Sequence, residues 1–187
     1  MVLTDIANSP ATALHICTKL ARHFVRDNPE PKLIKQMTRV WLATQGNLKA
    51  VMSALIKSQY AWETEAQKYK SPREFIISSY RAIEQKIPNS KSLVNYMQQL
   101  GQEPYQAGSP AGFGDLRSTW DGSDALFSRI EWSAHISKRI RNVDVINLAK
   151  TALGENIKNH TIETLERAES QQQAISLLLM SPDFLQR

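Results

Sequence analysis

The sequence is poor in the features that mark disulfide-bonded, membrane-spanning or exported chains. Cys17 is the only cysteine among 187 residues, so no intrachain disulfide can form. No apolar run approaches the roughly 18 residues that a membrane-spanning helix requires. The first residues lack the basic stretch and apolar core of a signal peptide, so the chain as it stands is expected in the cytoplasm.

Motifs of well-known catalytic chemistry are also missing. There is no nucleophile elbow around a serine and no zinc-binding HExxH, and the glycine-rich segment lacks the lysine and hydroxyl pair of a phosphate loop. His15 and His23 lie on the opposite side of a predicted helix from Cys17, which is better explained as a small buried residue. We therefore expect no metal and no cofactor, and the sequence identifies no catalytic residue.

What the sequence does contain is helical periodicity in a chain of ordinary globular composition. Hydrophobic residues make up 42% and charged residues 22%, which suits one folded domain. Apolar residues recur at helical spacing, and strand patterns are nearly absent. These observations predict an all-α fold: a single domain over residues 1–187, built as a compact, irregular or orthogonal bundle of about eight short helices.

Helix starts are marked by capping residues. Ser9-Pro10 predicts an N-cap followed by proline in the first turn, and Ser71 with Glu74 forms a predicted capping box. Ser170 with Gln173 predicts a second capping box. Thr161 is predicted to cap a short segment that precedes Ser170 in the chain. From the apolar stripes we expect these core residues: Leu20, Phe24, Met37, Trp41, Leu55, Phe75, Ile83, Leu100, Phe127, Ile130 and Leu178.

Residues 101–122 break the helical pattern and predict a long ordered loop. Five of the seven glycines lie here, together with two prolines. Long ordered loops often carry function, but the segment could equally be a structural cover held down by aromatic side chains. Asp115 and Asp121 could act as a carboxylate pair, or serve only as turn and cap residues. The candidate functional residues of this loop are Tyr105, Ser109, Gly112, Phe113, Asp115 and Trp120.

Positive charge is concentrated in the first half of the chain. Residues 1–90 hold 13 basic and 7 acidic residues, whereas residues 91–187 hold 10 and 11. One predicted helix carries a basic stripe, which is either a contact for an anion or partner, or a solvated helix face. A nucleic-acid ligand is disfavoured because aromatic residues do not alternate with these charges. The stripe consists of His15, Lys19, Arg22, His23 and Arg26.

Several segments, taken in order, resemble the C-terminal half of the bacterial domain-of-unknown-function family 1800. The resemblance implies that the chain corresponds to the C-terminal part of a longer protein, and many family members begin with an export signal, so an exported or periplasmic location is the alternative. It implies no particular activity and no catalytic residues. The segments are Ser9-Pro10-Ala11-Thr12, Lys19-Leu20-Ala21-Arg22-His23-Phe24-Val25, Ser71-Pro72-Arg73-Glu74-Phe75 with Arg81-Ala82, Leu100-Gly101-Gln102-Glu103-Pro104-Tyr105, Ser109-Pro110-Ala111-Gly112-Phe113-Gly114-Asp115 with Trp120, and Leu178-Leu179-Met180-Ser181-Pro182-Asp183-Phe184.

Two functions of different class follow. The first is a non-catalytic binding or scaffolding module of a larger protein, whose partner is another protein or the N-terminal half of the same chain. The second is one half of an enzyme that acts on an anionic or polymeric substrate and shares its chemistry with that N-terminal half. Separated, solvated Asp115 and Asp121 side chains would weigh against the second.

Overall fold

The structure is a computed structural model, and it describes residues 2–62 and 68–187. All its regular elements within those ranges are helices, apart from one isolated antiparallel bridge between Tyr69 and Gln186, so the all-α prediction is confirmed. The described ranges contain eleven α-helices, where about eight were expected, and the chain divides into two compact units, Met1–Lys68 and Tyr69–Arg187. The single domain remains a prediction.

Residues 2–62 of the first unit form four α-helices. Cys17 and Met37 are fully buried where α2, α3 and α4 pack together, which confirms both as core residues. The indole Nε1 of Trp41 donates a hydrogen bond to the Ala7 carbonyl at 3.1 Å. That bond ties α3 to the first helix, which buries no side chain of its own. The helices are α1 (Val2–Asn8), α2 (Pro10–Phe24), α3 (Pro31–Ala43) and α4 (Leu48–Lys57).

The second unit contains the other seven helices around an aromatic core. The Phe75 and Trp132 rings meet edge to face with centroids 5.3 Å apart, and Tyr80 and Tyr96 contact the same indole. The helices are α5 (Pro72–Ala82), α6 (Ser90–Gln99), α7 (Ser123–Ser137), α8 (Val145–Leu153), α9 (Asn159–Glu166), α10 (Gln171–Met180) and α11 (Pro182–Leu185).

The capping predictions are largely confirmed. The Ser9 hydroxyl accepts from the backbone N–H of Ala11, and Ser71 and Glu74 form the complete capping box. Ser170 caps α10, but the Gln173 amide oxygen accepts from Glu169 rather than closing a box. Thr161 was wrongly predicted as a cap: it lies inside α9, where its hydroxyl donates to Asp183 at 2.7 Å.

Three predicted core residues are exposed instead. Phe127 and Ile130 are 61% and 45% exposed, because α7 turns its other face inward. That face carries Ser133, whose hydroxyl lies 3.0 Å from the Ser176 hydroxyl, so α7 packs closely on α10. Phe24, the last residue of α2, is 52% exposed and contacts the His23 ring edge to face. Leu20 is only half-buried, and the other predicted core residues are buried.

Candidate functional site

A cleft of about 510 Å³ opens in the second unit, beside α5. Side chains at positions 73, 74, 77, 78, 81 and 82 of this helix recur at helical spacing and line one wall. The opposite face of the same helix carries Phe75, Ile76 and Tyr80, which are buried in the aromatic core. Packing of the inner face fixes the position and rotation of the helix. Its outer face is therefore held towards the cleft. Further lining residues are Lys70, Glu84, Thr151, Ala152, Phe184 and Arg187.

Four of the lining side chains are cationic and two are acidic. Lys70, Arg73, Arg81 and Arg187 supply the positive charge, against Glu74 and Glu84. Glu74 is already engaged: one carboxylate oxygen accepts from the Ser71 backbone N–H at 2.9 Å and from its hydroxyl at 3.0 Å. The other oxygen lies 3.2 Å from the Arg187 guanidinium. The capping box of α5 therefore also orients a carboxylate and an arginine at the cleft.

Lys70 is the most unusual residue of the cleft. Its side chain is buried, and its amine lies 3.7 Å from the centroid of the Phe184 ring. The backbone is held on both sides, since Lys70 N–H donates to the Leu185 carbonyl at 2.9 Å and its own carbonyl accepts from Arg129 at 2.7 Å. The amine pairs with no carboxylate within ion-pair distance in the described part of the chain.

Burial lowers the pKa of Lys70 to about 8, because removing the ammonium from water disfavours the charged form. The Glu74 carboxylate opposes this effect and raises the pKa, whereas the Arg129 guanidinium lowers it further. The ring of Phe184 attracts a cation through its quadrupole but compensates its charge far less than a carboxylate would. The amine is therefore partly neutral near physiological pH.

Arg129 contacts the Lys70 backbone and two aromatic rings. It is 1% exposed, and its guanidinium lies 4.7 Å from the Tyr69 ring centroid and 4.9 Å from that of Phe75. Burial lowers its pKa, and the nearby Tyr69 and Glu74 act in the opposite direction. An arginine stacked between two rings and bonded to the Lys70 carbonyl fixes the backbone from which the lysine side chain extends.

The predicted basic stripe belongs to the first unit, whereas the residues that line the cleft belong to the second. His15 and Lys19 are exposed on α2, and His23 is exposed beside Phe24. Arg22 donates from Nε to the Asp27 carbonyl at 3.1 Å, which satisfies a backbone group just beyond the helix. Arg26 lies after the end of α2 and forms an ion pair with Glu30 at 2.7 Å, so the five residues do not form one helical stripe.

The predicted loop over residues 101–122 contains no α-helix and one 3-10 turn, Arg117–Thr119. Its second part is closed by Trp120, which is buried, donates from Nε1 to the Gly114 carbonyl at 3.1 Å and packs on Phe113. Gly114 approaches Thr119 so closely that a Cβ at position 114 would lie 2.3 Å from the threonine hydroxyl oxygen.

The first part of that loop reaches into solvent. If the loop is a structural cover, its aromatic side chains should pack against the protein and hold it in place. Tyr105 does not do so, because it is fully exposed. Ser109 and Gly112 form an exposed turn, with Gly112 N–H donating to the Ser109 carbonyl at 3.0 Å and its φ at +86°. Asp115 is half-buried, and Asp121 forms an ion pair with Arg117 at 2.8 Å. The lining of the cleft includes none of these residues.

Within the described ranges, no group of three or more histidine, cysteine or acidic side chains could hold a metal ion. The Cys17 thiol is buried, and burial raises its pKa while a hydrogen bond with Thr38 acts in the opposite direction. A thiol in this state is a poor nucleophile. No helix of the described chain is long and apolar enough to cross a membrane.

The cleft is not among the sites that the sequence predicts. One signal was present: Arg73, Ile77 and Arg81 share a helix face that begins at the strongest capping box, with Lys70 just before it. The remaining walls come from α8, α11 and Arg187, which lie some seventy to over one hundred residues away along the chain. Helical spacing relates residues within one element only, so no local pattern could bring these segments together.

Comparison with known proteins agrees with the resemblance found from the sequence. A search of curated proteins and a search of solved structures each return no match. The family model described as "Protein of unknown function (DUF1800)" matches residues 1–186, which is nearly the whole chain. The chain therefore belongs to the DUF1800 family.

Proposed function

We propose that this chain is a binding module for a small anionic ligand, which it holds in the cleft beside α5. The observation that carries the proposal is the convergence of Lys70, Arg73, Arg81 and Arg187 on one space of about 510 Å³. Glu74 offsets part of this charge but is already held by Ser71 and Arg187. The cations therefore exceed the carboxylates around the cleft.

The chemistry of the walls supports a small ligand that is partly apolar. Guanidinium groups bind carboxylates and phosphates through paired N–H donors, and partial exclusion of water strengthens each bond. Ile77, Ala82 and Phe184 supply apolar surface next to the cations. A volume of about 510 Å³ lies in the range of small-molecule sites. These features favour a compact anion with a carbon skeleton over a polymer.

The experiment is a calorimetric titration of the chain with pyrophosphate and with citrate, as probes for phosphate and carboxylate chemistry. Arg81→Ala is expected to weaken binding of the better probe by about tenfold, since one charge-assisted contact is lost. Arg141→Ala, which removes an exposed arginine outside the cleft, is the matched control and is expected to bind as the wild type does.

Lys19→Ala tests the basic stripe as the competing anion site. If it weakens binding as much as Arg81→Ala does, the ligand binds the first unit and the proposal is wrong. The proposal also fails if neither probe binds at millimolar concentration. Binding that survives Lys19→Ala and Arg141→Ala but not Arg81→Ala supports it.

The enzyme alternative stays a proposal as well, and one observation favours it. Lys70 presents a buried amine, partly neutral near physiological pH, to the same cleft. Such an amine is a feature of lysines that act as nucleophiles or bases. A binding module has no need of it.

A further inference from the structure

We propose that the Lys70 amine captures small carbonyl compounds that carry a carboxylate or phosphate group, forming an imine in the cleft. The inference rests on the proposed function, because the arginines that would bind a free anion also place the anionic group of such a compound. Four observations bear on it: the position of the amine, the lack of a carboxylate at ion-pair distance from it in the described ranges, the arrangement of the cations and the size of the cleft.

Lys70 lines the cleft, and its amine packs on the ring of Phe184, which is buried and lines the same cleft. The Lys70 backbone is held by Leu185 and Arg129, and the side chain lies over Phe184. This anchoring restricts where the amine can reach, which is the condition for directed attack on a bound carbonyl carbon. An exposed surface lysine has no such restriction.

The state of the amine suits a nucleophile. With a pKa of about 8, about a tenth of the Lys70 side chains are neutral at pH 7, against well under a thousandth for an ordinary lysine. Only the neutral amine has the lone pair that attacks a carbonyl. The aromatic ring at 3.7 Å contacts the ammonium form without forming a salt bridge that the reaction would have to break.

The reaction balances without an oxidant, reductant or metal. The lone pair of the Lys70 nitrogen forms a C–N bond with the carbonyl carbon, and the carbonyl oxygen takes up a proton to give a carbinolamine. The C–O bond then breaks as the nitrogen lone pair forms the C=N bond. The oxygen leaves as water with both amine protons, and water in the open cleft carries these protons.

The arginines select the class of carbonyl compound. Arg73 and Arg81 lie two turns apart on the wall formed by α5, with Ile77 between them. These cations attract a carboxylate or phosphate into the cleft that Lys70 also lines, which raises the concentration of the carbonyl compound near the amine. Neutral carbonyl compounds lack this attraction, so we expect them to react with Lys70 more slowly than anionic compounds of the same size.

The test is reductive trapping. The full chain is incubated at pH 7 with glyoxylate and cyanoborohydride, which reduces an imine to a stable secondary amine, and labelled lysines are identified by peptide mass spectrometry. Glycolaldehyde, a neutral aldehyde of similar size, is the matched reagent. We expect glyoxylate to label Lys70 at least about tenfold faster than the exposed Lys91, because the Lys70 amine is partly neutral at pH 7 and the cations of the cleft attract the anion.

Two variants and one internal control sharpen the test. Arg81→Ala is expected to slow labelling of Lys70 by glyoxylate but not by glycolaldehyde, whereas Arg141→Ala changes neither rate. Lys68 serves as the internal control, because it is buried like Lys70 but forms an ion pair with Asp27 at 2.6 Å. It is expected to stay unlabelled. Circular dichroism verifies that each variant is folded.

The outcomes separate the inference from the proposed function. If pyrophosphate or citrate binds but Lys70 is labelled no faster than Lys91, the inference is overturned and the proposed function stands. If Lys70 is labelled equally by both aldehydes, the assigned substrate class is overturned. If neither probe binds and Lys70 is not labelled preferentially, both fail. Fast labelling by glyoxylate that depends on Arg81 supports the inference.

Discussion

Two buried lysines lie two residues apart in the chain, one in each compact unit, and their amines contact different groups. Lys68 is 4% exposed and its amine meets the Asp27 carboxylate at 2.6 Å. Lys70 is 9% exposed and its amine meets the face of Phe184 at 3.7 Å. At contact distance the Lys68 amine meets a full opposite charge, whereas the Lys70 amine meets an aromatic ring and the Glu74 carboxylate acts on it from farther away.

Burial alone therefore does not determine whether a lysine amine is reactive. A carboxylate compensates the ammonium and keeps it charged, as a structural ion pair requires. Without that compensation the charged form is disfavoured and the amine becomes available for chemistry. The nature of the group that covers the amine therefore separates a structural lysine from a candidate reactive one.

The largest expected effect comes from removing the support beneath Lys70. Arg129→Ala leaves the Lys70 carbonyl without its donor and opens a cavity between Tyr69 and Phe75. We expect the free energy of unfolding to fall by about 3 kcal/mol, measured by urea denaturation. Arg141→Ala, at an exposed position, is the control and should change it little. A loss below about 1 kcal/mol for Arg129→Ala would show that Lys70 does not depend on this support.

The next prediction concerns the pH dependence of stability. The folded chain releases the Lys70 proton near pH 8, whereas an unfolded lysine keeps it to about pH 10.4. The unfolded state therefore binds more protons between these values, so wild-type stability rises with pH across this window relative to Lys70→Met. Below pH 8 we expect Lys70→Met to be more stable than the wild type. The difference in free energy of unfolding between the two proteins should then shrink by roughly 2 kcal/mol as the pH rises towards 10.4.

Urea denaturation of both proteins at pH 7 and pH 10 measures that change. Comparing the two proteins at each pH removes the contribution of other titrating groups, since only position 70 differs. A stability difference that stays constant with pH would contradict the lowered pKa of Lys70, and with it the contrast between the two lysines.

A smaller effect is expected from weakening the ion pair of Lys68. Asp27→Asn removes the carboxylate that the Lys68 amine meets at 2.6 Å while keeping the shape of the side chain. We expect about 1 kcal/mol of stability to be lost, because Asp27 is partly exposed and its pair with Lys68 only partly desolvated. Labelling of Lys68 by an aldehyde and cyanoborohydride should rise, with Glu155→Gln as an exposed-carboxylate control. Unchanged labelling would mean that the ion pair with Asp27 does not protect Lys68.

Local signals predicted much of the fold. Ser9, Ser71 and Ser170 identified helix starts because a cap is decided by a few adjacent residues. The first helix was missed because it buries no side chain and so leaves no apolar stripe to detect. Phe127 and Ile130 were wrongly placed in the core, since the buried face of α7 carries Arg129 and two serines, which no hydrophobic pattern would favour.

The candidate site was less predictable than the fold. The basic stripe and the loop were selected because they are continuous in the sequence, whereas the cleft joins Lys70, α5 and Arg187 across more than one hundred residues. The sequence shows that positive charge is concentrated in residues 1–90. It does not show which of these side chains have local partners and which line the cleft. Arg22 and Arg26 are occupied by local partners, whereas Arg73 and Arg81 line the cleft.

The close approach of Gly114 and Thr119 has a consequence for how this family can diversify. A Cβ at position 114 would lie 2.3 Å from the Thr119 hydroxyl and 3.0 Å from its methyl group. A descendant that gains bulk at 114 must therefore lose it at 119, or reshape the turn that Trp120 closes. The two positions are expected to change together across lineages, so that an alignment of relatives would show an exchange of side-chain volume between them.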